Sequence, residues 1–243
     1  MKLIKLSQFK KVHEERIYRL TSVHPSNKTT IVRFKSNIGR DIVHVPLEQI
    51  YQAVYPRYPV DETGIEIDLT TIKAVDSKSY WKVGADCIKK HVDDLTASRI
   101  NSQVSDHVSV FAFGPIPFLI YLGGCLGNKK GIEIYQRHRD SEDWIWKRKR
   151  KIAKYKFRAL KNGNNLANVS LVISLSGQIN ADDLPLKIRQ KDYIYEITLS
   201  DQIPNPMFIK CMDDLAEFKK VYHQALSQIR KKHNRAKHIY CNC

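Results

Sequence analysis

Carboxylates are scarce in this chain. Against 41 lysines and arginines stand 25 aspartates and glutamates, a formal charge of +16 over 243 residues. That balance excludes a surface built for cationic partners. It points to an anionic one, most simply nucleic acid, a nucleotide or an acidic membrane surface, although a generally basic host proteome gives the same excess. Cysteine is also sparse: Cys87, Cys125, Cys211, Cys241 and Cys243 are odd in number and scattered. Only the last two are close, and Cys-x-Cys without a partner pair is not a zinc pattern. A disulfide-stapled or zinc-built fold is thereby excluded, and reduced thiols of a cytoplasmic protein are expected. The N-terminus, MKLIKLSQFKK, has no apolar region long enough for a signal peptide. Walker loop, nucleophile elbow, zinc set and kinase signature are all missing, and the nine histidines are too dispersed for spacing to assign one to catalysis. No cofactor is expected. With 42% hydrophobic and 27% charged residues, what remains is a globular chain long enough to bury a core.

A long unbroken apolar run is missing too, although one stretch imitates it. Residues 108–128 carry no charge, and about 18 such residues is the usual length signal for a membrane span. Gly114, Pro115 and Pro117 interrupt this one. Val108, Val110, Phe111 and Phe113 suit a buried strand, which Gly114-Pro115 stops because proline removes a ladder donor. Pro117 then serves as the first residue of a helix, where its missing N–H costs nothing. Phe118, Leu122 and Leu126 fall four apart on one helical face, and Gly123-Gly124 are expected to let that helix lie close against a sheet. Glycines and lysines at 127–131 end it, and Ile132, Ile134 and Tyr135 form a second strand. The whole is a βαβ unit in about 30 residues, and neither half spans a membrane.

Ligands of parallel α/β sheets sit beyond the carboxyl ends of strands, where helix N-termini present N–H groups. The backbone of Gly114, Pro115, Ile116 and Pro117 occupies such a place. So does Gln136-Arg137-His138-Arg139-Asp140 after the second strand, which suits phosphate binding and equally a strand end dressed in solvated charge. Residues 144–163, WIWKRKRKIAKYKFRALKNG, hold nine cations and no carboxylate. Lys147 and its neighbours suit phosphate pairing, and Trp144, Trp146, Tyr155 and Phe157 suit base stacking, Trp144 foremost. The same alternation fits an element with one solvated face. Ser174, Ser176 and Gly177 close another strand, either as a ribose or phosphate contact or as a turn held by serine side chains.

Residues 213–232 read as an amphipathic core helix, with Leu215, Phe218, Tyr222, Ala225 and Ile229 on one face. Before residue 80, Thr30 to Phe34 and Asp41 to Val45 alternate like a hairpin around Asn37-Ile38-Gly39, and 46–54 suits a helix. Glu62, Glu66, Asp68 and Lys73 match a metal-dependent nuclease set; alternation over 65–69 fits a half-exposed strand as well.

The succession HVSVFAFGPIP (107–117), Leu122-Gly123, Leu126-Gly127, IYQRHRD (134–140) and Trp144 resembles the first half of a SAVED domain. Downstream, VSLVISLSG (169–177), YIYEITL (193–199) and DDLAEF (213–218) resemble the family's next strands and long helix. This resemblance implies an α/β fold of two CARF-like, Rossmann-like halves with mainly parallel sheets, about 80–165 and 166–243. A small N-terminal α+β region of unclear type, 1–79, precedes them. The second half is expected to be incomplete, because HIYC (238–241) resembles a strand after which the family continues. A truncated sequence or a second chain completing the fold would account for it.

The function implied is binding of a cyclic oligonucleotide, a cyclic oligoadenylate or related, in bacterial anti-phage defence of the CBASS or type III CRISPR kind. Head-to-tail homo-oligomer assembly on the ligand then activates an effector protein. The chain itself is not expected to be an enzyme, and no membrane partner is expected. The implied ligand-binding residues are Gly114, Pro115, Ile116, Pro117, Arg137, His138, Arg139, Trp144, Lys147, Ser174, Ser176 and Gly177. The alternatives are a metal-dependent nuclease within the N-terminal region and a general RNA- or DNA-binding module on 144–163.

Overall fold

The computed structural model describes residues 12, 13, 16, 25–38, 45–72, 78–100, 105–127, 131–148, 151–234, 236 and 239–242. The chain divides into two units, one of residues 1–137 with 142–145 and the other of 138–141 with 146–243. The expected boundary at 79/80 falls inside the first.

Five strands build the first unit's sheet: β1 (Lys28–Lys35), β2 (Tyr58–Pro59), β3 (Ile65–Asp68), β4 (Val108–Phe113) and β5 (Ile132–Tyr135). Their order is β2-β1-β4-β5, with β3 also paired to β1, and every pairing is parallel. Parallel neighbours need crossover connections; these carry helices α1 (Leu47–Val54), α2 (Lys78–Ile100) and α3 (Ile116–Leu126). The expected strand–helix–strand unit over 108–135 is β4-α3-β5, in the register Val108 to Ile132 through Phe111 to Tyr135. The expected hairpin does not form on β1. Both of its edges are taken, by β4 on one side and by β2 and β3 on the other, while 39–44 lie outside the described residues.

Successive side chains of a strand point to opposite faces. One face of this sheet sends Val32, Phe34, Val108 and Val110 into a core with Ile88, Val92 and Leu95 of α2 and Phe118, Leu122 and Leu126 of α3. Phe118 is its centre, with the rings of Phe34, Tyr80 and Trp81 at 6.5, 5.3 and 4.8 Å. Burying such a ring contributes about 1.5–3 kcal/mol. Gly84 on α2 admits it, since a Cβ there would lie 2.3 Å from Phe118 Cζ. The other face carries Ile31, Phe111 and Tyr135, all buried.

The two glycines of α3 behave otherwise than expected. Phe118, Leu122 and Leu126 do face the core, but a Cβ on Gly123 or Gly124 would meet nothing within 4 Å. They lie on the open face with Ile116 and Ile120, which are 48% and 59% exposed. The sheet is approached by the large side chains instead. No described helix is long and apolar enough to cross a membrane.

The second unit holds β6 (Tyr155–Lys161), β7 (Val169–Ser174), β8 (Tyr193–Leu199) and β9 (Ile239–Asn242), with α4 (Leu186–Lys191) and α5 (Met212–Lys232). The order is β6-β8-β7-β9; β7, β8 and β9 run parallel and β6 antiparallel. Phe218, Tyr222, Ala225 and Ile229 of α5 pack on Leu171, Ile197 and Leu199, the face expected of that helix. Beyond it, buried His233 has Nδ1 3.0 Å from Leu166 O and Nε2 2.7 Å from the Tyr195 hydroxyl. That tie satisfies both ring nitrogens and pins the helix end to β8.

Candidate functional site

The β4–α3 loop lies at the carboxyl ends of β1 and β4. Helix α3 begins at Ile116 behind Pro115, which takes the N-cap position without a side-chain cap, so Pro117 is the second helical residue and not the first. Neither proline has an N–H, and Phe118 and Leu119 both donate to Pro115 O, at 3.0 and 3.2 Å. The amide supply is therefore thinner than the sequence suggests: the loop can offer a ligand N–H groups from Gly114 and Ile116 alone. Gly114 is required by close approach. A Cβ there would stand 2.7 Å from Phe34 Cε1 and 3.3 Å from Ser36 Cβ.

Arg137 follows β5, half-buried, with a terminal nitrogen 4.0 Å from Oε1 of the exposed Glu142, a loose pair. Trp144 departs from expectation. It is fully buried, edge-on to Phe111 at 5.4 Å, and Phe111 in turn stacks on Tyr135 at 4.6 Å. No face of the indole is open to a base; its role is to close the sheet's second face.

Of the second unit's expected residues, His138 is also buried, with Trp146 edge-on at 5.6 Å, and so is not a surface phosphate ligand. Arg139 is exposed. Lys147 donates from Nζ to Ser141 Oγ at 2.7 Å and from its backbone to Lys210 O at 2.9 Å. Ser174 is buried at the end of β7 and its Oγ accepts the Ile179 amide at 3.4 Å, which is the turn-closing role. Ser176 and Gly177 are exposed beyond it, and Gly177 faces open space.

A cavity that sequence reasoning missed lies just past the carboxyl end of β8, beside the segment that enters β6. It has a volume of about 300 Å³, and its lining includes the cations Arg148, Lys151 and Lys210 beside Met207 and Phe208. The antiparallel register of β6 on β8 builds it: Tyr155 pairs with Leu199, so the basic segment entering β6 runs past the residues leaving β8. Ser200 N–H donates to Lys154 O at 2.8 Å, and Lys151 Nζ lies 3.5 Å from Asp201.

Asp214, in the first turn of α5, fixes the cavity floor. Its carboxylate accepts amides from Ala153 at 2.8 Å, Lys210 at 2.9 Å and Cys211 at 3.0 Å. Burial works to raise its pKa, but those donors outweigh burial and hold the carboxyl below its ordinary value. The Asp214 charge is thus absorbed by peptide groups, while Lys210 Nζ lies 3.4 Å from Asp140 and Lys151 stands by Asp201, loose surface pairs for which an anion can compete. Burial pushes the Cys211 thiol up, away from the thiolate a nucleophile needs.

The N-terminal carboxylates are engaged. Glu66 pairs with Arg33 at 2.7 Å and Lys35 at 2.8 Å, and Asp68 with Lys35 at 3.0 Å. Asp68 also accepts the Thr70 amide and hydroxyl. Glu62 is exposed, and Lys73 lies outside the described residues. Among the described residues, no three His, Cys, Asp or Glu side chains are grouped to hold a metal ion.

Residues 88–242 match the family model of SAVED, the SMODS-associated and fused to various effectors sensor domain. None of the curated proteins compared with the chain matches it. Among solved structures, the Acinetobacter baumannii Cap4 SAVED/CARF-domain containing receptor, determined with the cyclic trinucleotide 2'3'3'-cAAA, is similar in fold. The TM-score is 0.51 at 10% identity, over 96% of this chain and 47% of that one. The chain thus spans about half the length of that receptor chain.

Proposed function

The chain belongs to the SAVED family of sensor domains, and on that premise we propose that it binds a cyclic oligonucleotide second messenger in the bacterial cytoplasm as part of anti-phage defence. The observation that carries this reading is the cavity just past the carboxyl end of β8, within the matched residues, where Arg148, Lys151 and Lys210 outnumber Asp201 and Asp214. A cyclic oligonucleotide brings one phosphate per nucleotide, and each charge-assisted contact supplies about 1.5–3 kcal/mol. Arg139, Ser176 and Gly177 of the same unit are further donors for it. The solved Cap4 receptor, which holds a cyclic trinucleotide, supports the ligand class. Ligand binding then drives assembly of sensor copies and switches on an effector, in a system of the CBASS or type III CRISPR kind.

Calorimetric titration with cyclic di-, tri- and tetra-adenylates, against linear triadenylate and a long DNA duplex, tests the binding. Saturable heat with a cyclic species and little with the linear one is expected. Binding to long polyanions with no cyclic preference and steep salt dependence would instead favour a general nucleic-acid module resting on the exposed Lys156, Arg158 and Lys161 of β6. Light scattering with and without ligand tests the assembly step; an unchanged mass at saturation overturns it.

A further inference from the structure

Charge is spread unevenly along α5. Its carboxylates, Asp213, Asp214 and Glu217, stand in the first two turns, and from Phe218 to Cys243 the sequence holds seven lysines and arginines and no carboxylate. Lys219, His223, Ser227, Arg230 and Lys231 recur three or four residues apart, which puts them in one row, and all are exposed. The row runs about 18 Å along the helix, beside the core-facing Phe218, Tyr222, Ala225 and Ile229. Four of its residues, His223, Ser227, Arg230 and Lys231, line a groove of about 450 Å³ together with half-buried Leu226.

Local structure does not account for the whole row. The helix macrodipole favours cations in the last turn only, which explains Arg230 and Lys231 but not Lys219, about three turns earlier. Nor are these charges spent on neighbours. Lys89, Lys151 and Lys220, exposed as well, lie 2.7, 3.5 and 3.4 Å from Asp93, Asp201 and Glu217. Among the described residues Lys219, Arg230 and Lys231 have no carboxylate in reach. A row of like charges repels itself, and a partner with a matching row of anions relieves it.

The chemistry of the row narrows that partner. A nucleic-acid duplex presents one negative charge per about 1.7 Å of its axis, about ten over this length. Single strands are held by aromatic faces set among the cations; the row exposes no Phe, Tyr or Trp, and the nearby Phe218 and Tyr222 pack on the core. An anionic bilayer needs an apolar face to bury, and Leu226 is itself packed on the core.

We infer that this side of α5 is a docking surface for the phosphate backbone of a nucleic-acid duplex, indifferent to sequence because phosphate contacts carry none. It is separate from the cyclic-ligand cavity of the same unit: Asp214, at that cavity's floor, and Arg230 stand about 24 Å apart along the helix. The chain can hold a duplex and a cyclic ligand at once.

Fluorescence anisotropy with a labelled DNA duplex and an RNA duplex of the same sequence, between about 50 and 200 mM salt, tests this. Arg230→Gln combined with Lys231→Gln should weaken binding about tenfold or more at the lower salt and take about 1.8 off the slope of log affinity against log salt, 0.9 per cation. Lys219→Gln, away from the helix end, should take off about 0.9. Lys156→Gln combined with Lys161→Gln on β6 should keep most of the affinity, and all variants should melt close to wild type. Loss with either duplex in the α5 variants supports the inference, and the tighter-bound duplex identifies the polymer. No binding by wild type at low salt, undiminished binding by the α5 variants, or loss in the β6 variant alone overturns it. Equally tight binding to anionic lipid vesicles or to polyglutamate overturns it too, by making the row a surface for acid of any kind. The proposed function stands or falls separately, on the cyclic-adenylate titration.

Discussion

The Asp214 carboxylate accepts the Ala153 amide at 2.8 Å across 61 residues of sequence. Through that bond one side chain caps α5 and also holds the basic segment in place as a cavity wall. Asp214→Ala should therefore cost about 2–3 kcal/mol in urea unfolding, as a lost cap with three amides orphaned. It should weaken ligand binding as well, because the segment carrying Arg148 and Lys151 loses its anchor.

The same carboxyl predicts an acid dependence. Its folded pKa lies below the ordinary aspartate value of about 3.9, so its contribution is complete above that value and is lost as pH falls through the lowered folded one. Melting curves of wild type and Asp214→Asn, recorded from pH 7 down to pH 2, should stay a constant distance apart above about pH 4 and converge below it.

Gly84→Ala should destabilise the first unit by about 1–3 kcal/mol through overpacking. The added carbon would stand 2.3 Å from Phe118 Cζ, and Phe118 is wedged among three other rings. Gly124→Ala, facing open space on the same pair of helices, should be neutral or slightly stabilising. Thermal unfolding of the two variants side by side separates them.

Trp144→Phe should keep ligand affinity within about twofold, whereas Trp144→Ala should lose about 3–5 kcal/mol of stability, the cost of emptying a large core site. A large affinity loss in a stably folded Trp144→Phe protein would restore the stacking role that burial against Phe111 argues against.

Lys151→Glu should lower affinity for the cyclic ligand about tenfold or more and flatten its dependence on salt, because one phosphate contact becomes a repulsion. Lys219→Glu, on the exposed side of α5, is the matched control and should change little. Isothermal titration at two salt concentrations reads both.

The order of elements was legible in the sequence wherever turn chemistry punctuated a β-branched run, as at Gly114-Pro115 before α3. The orientation of α3 was half legible. Its sequence, IPFLIYLGGCL, is apolar all round, so periodicity placed Phe118, Leu122 and Leu126 inward but could not send the glycines outward. Trp144 follows a strand in a charged loop, where no repeat pattern reports burial; only Phe111 across the sheet decides it. The cavity was illegible for a different reason. Arg148 and Lys210 meet through the β6–β8 register and the Asp214 cap, and neither tie leaves a local trace.

Strand β6 ends its sheet's order among the described residues, bonded to β8 on one side only. Its Lys156, Arg158 and Lys161 are exposed, and among the described residues only Arg158 is offset by a carboxylate, Glu196 at 2.7 Å. A stray extended peptide zippering onto that border would have to crowd its own backbone among unneutralised cations, which is how natural sheets discourage amyloid-like growth. The charge that makes this tract resemble a polyanion seeker thus also guards the protein against itself.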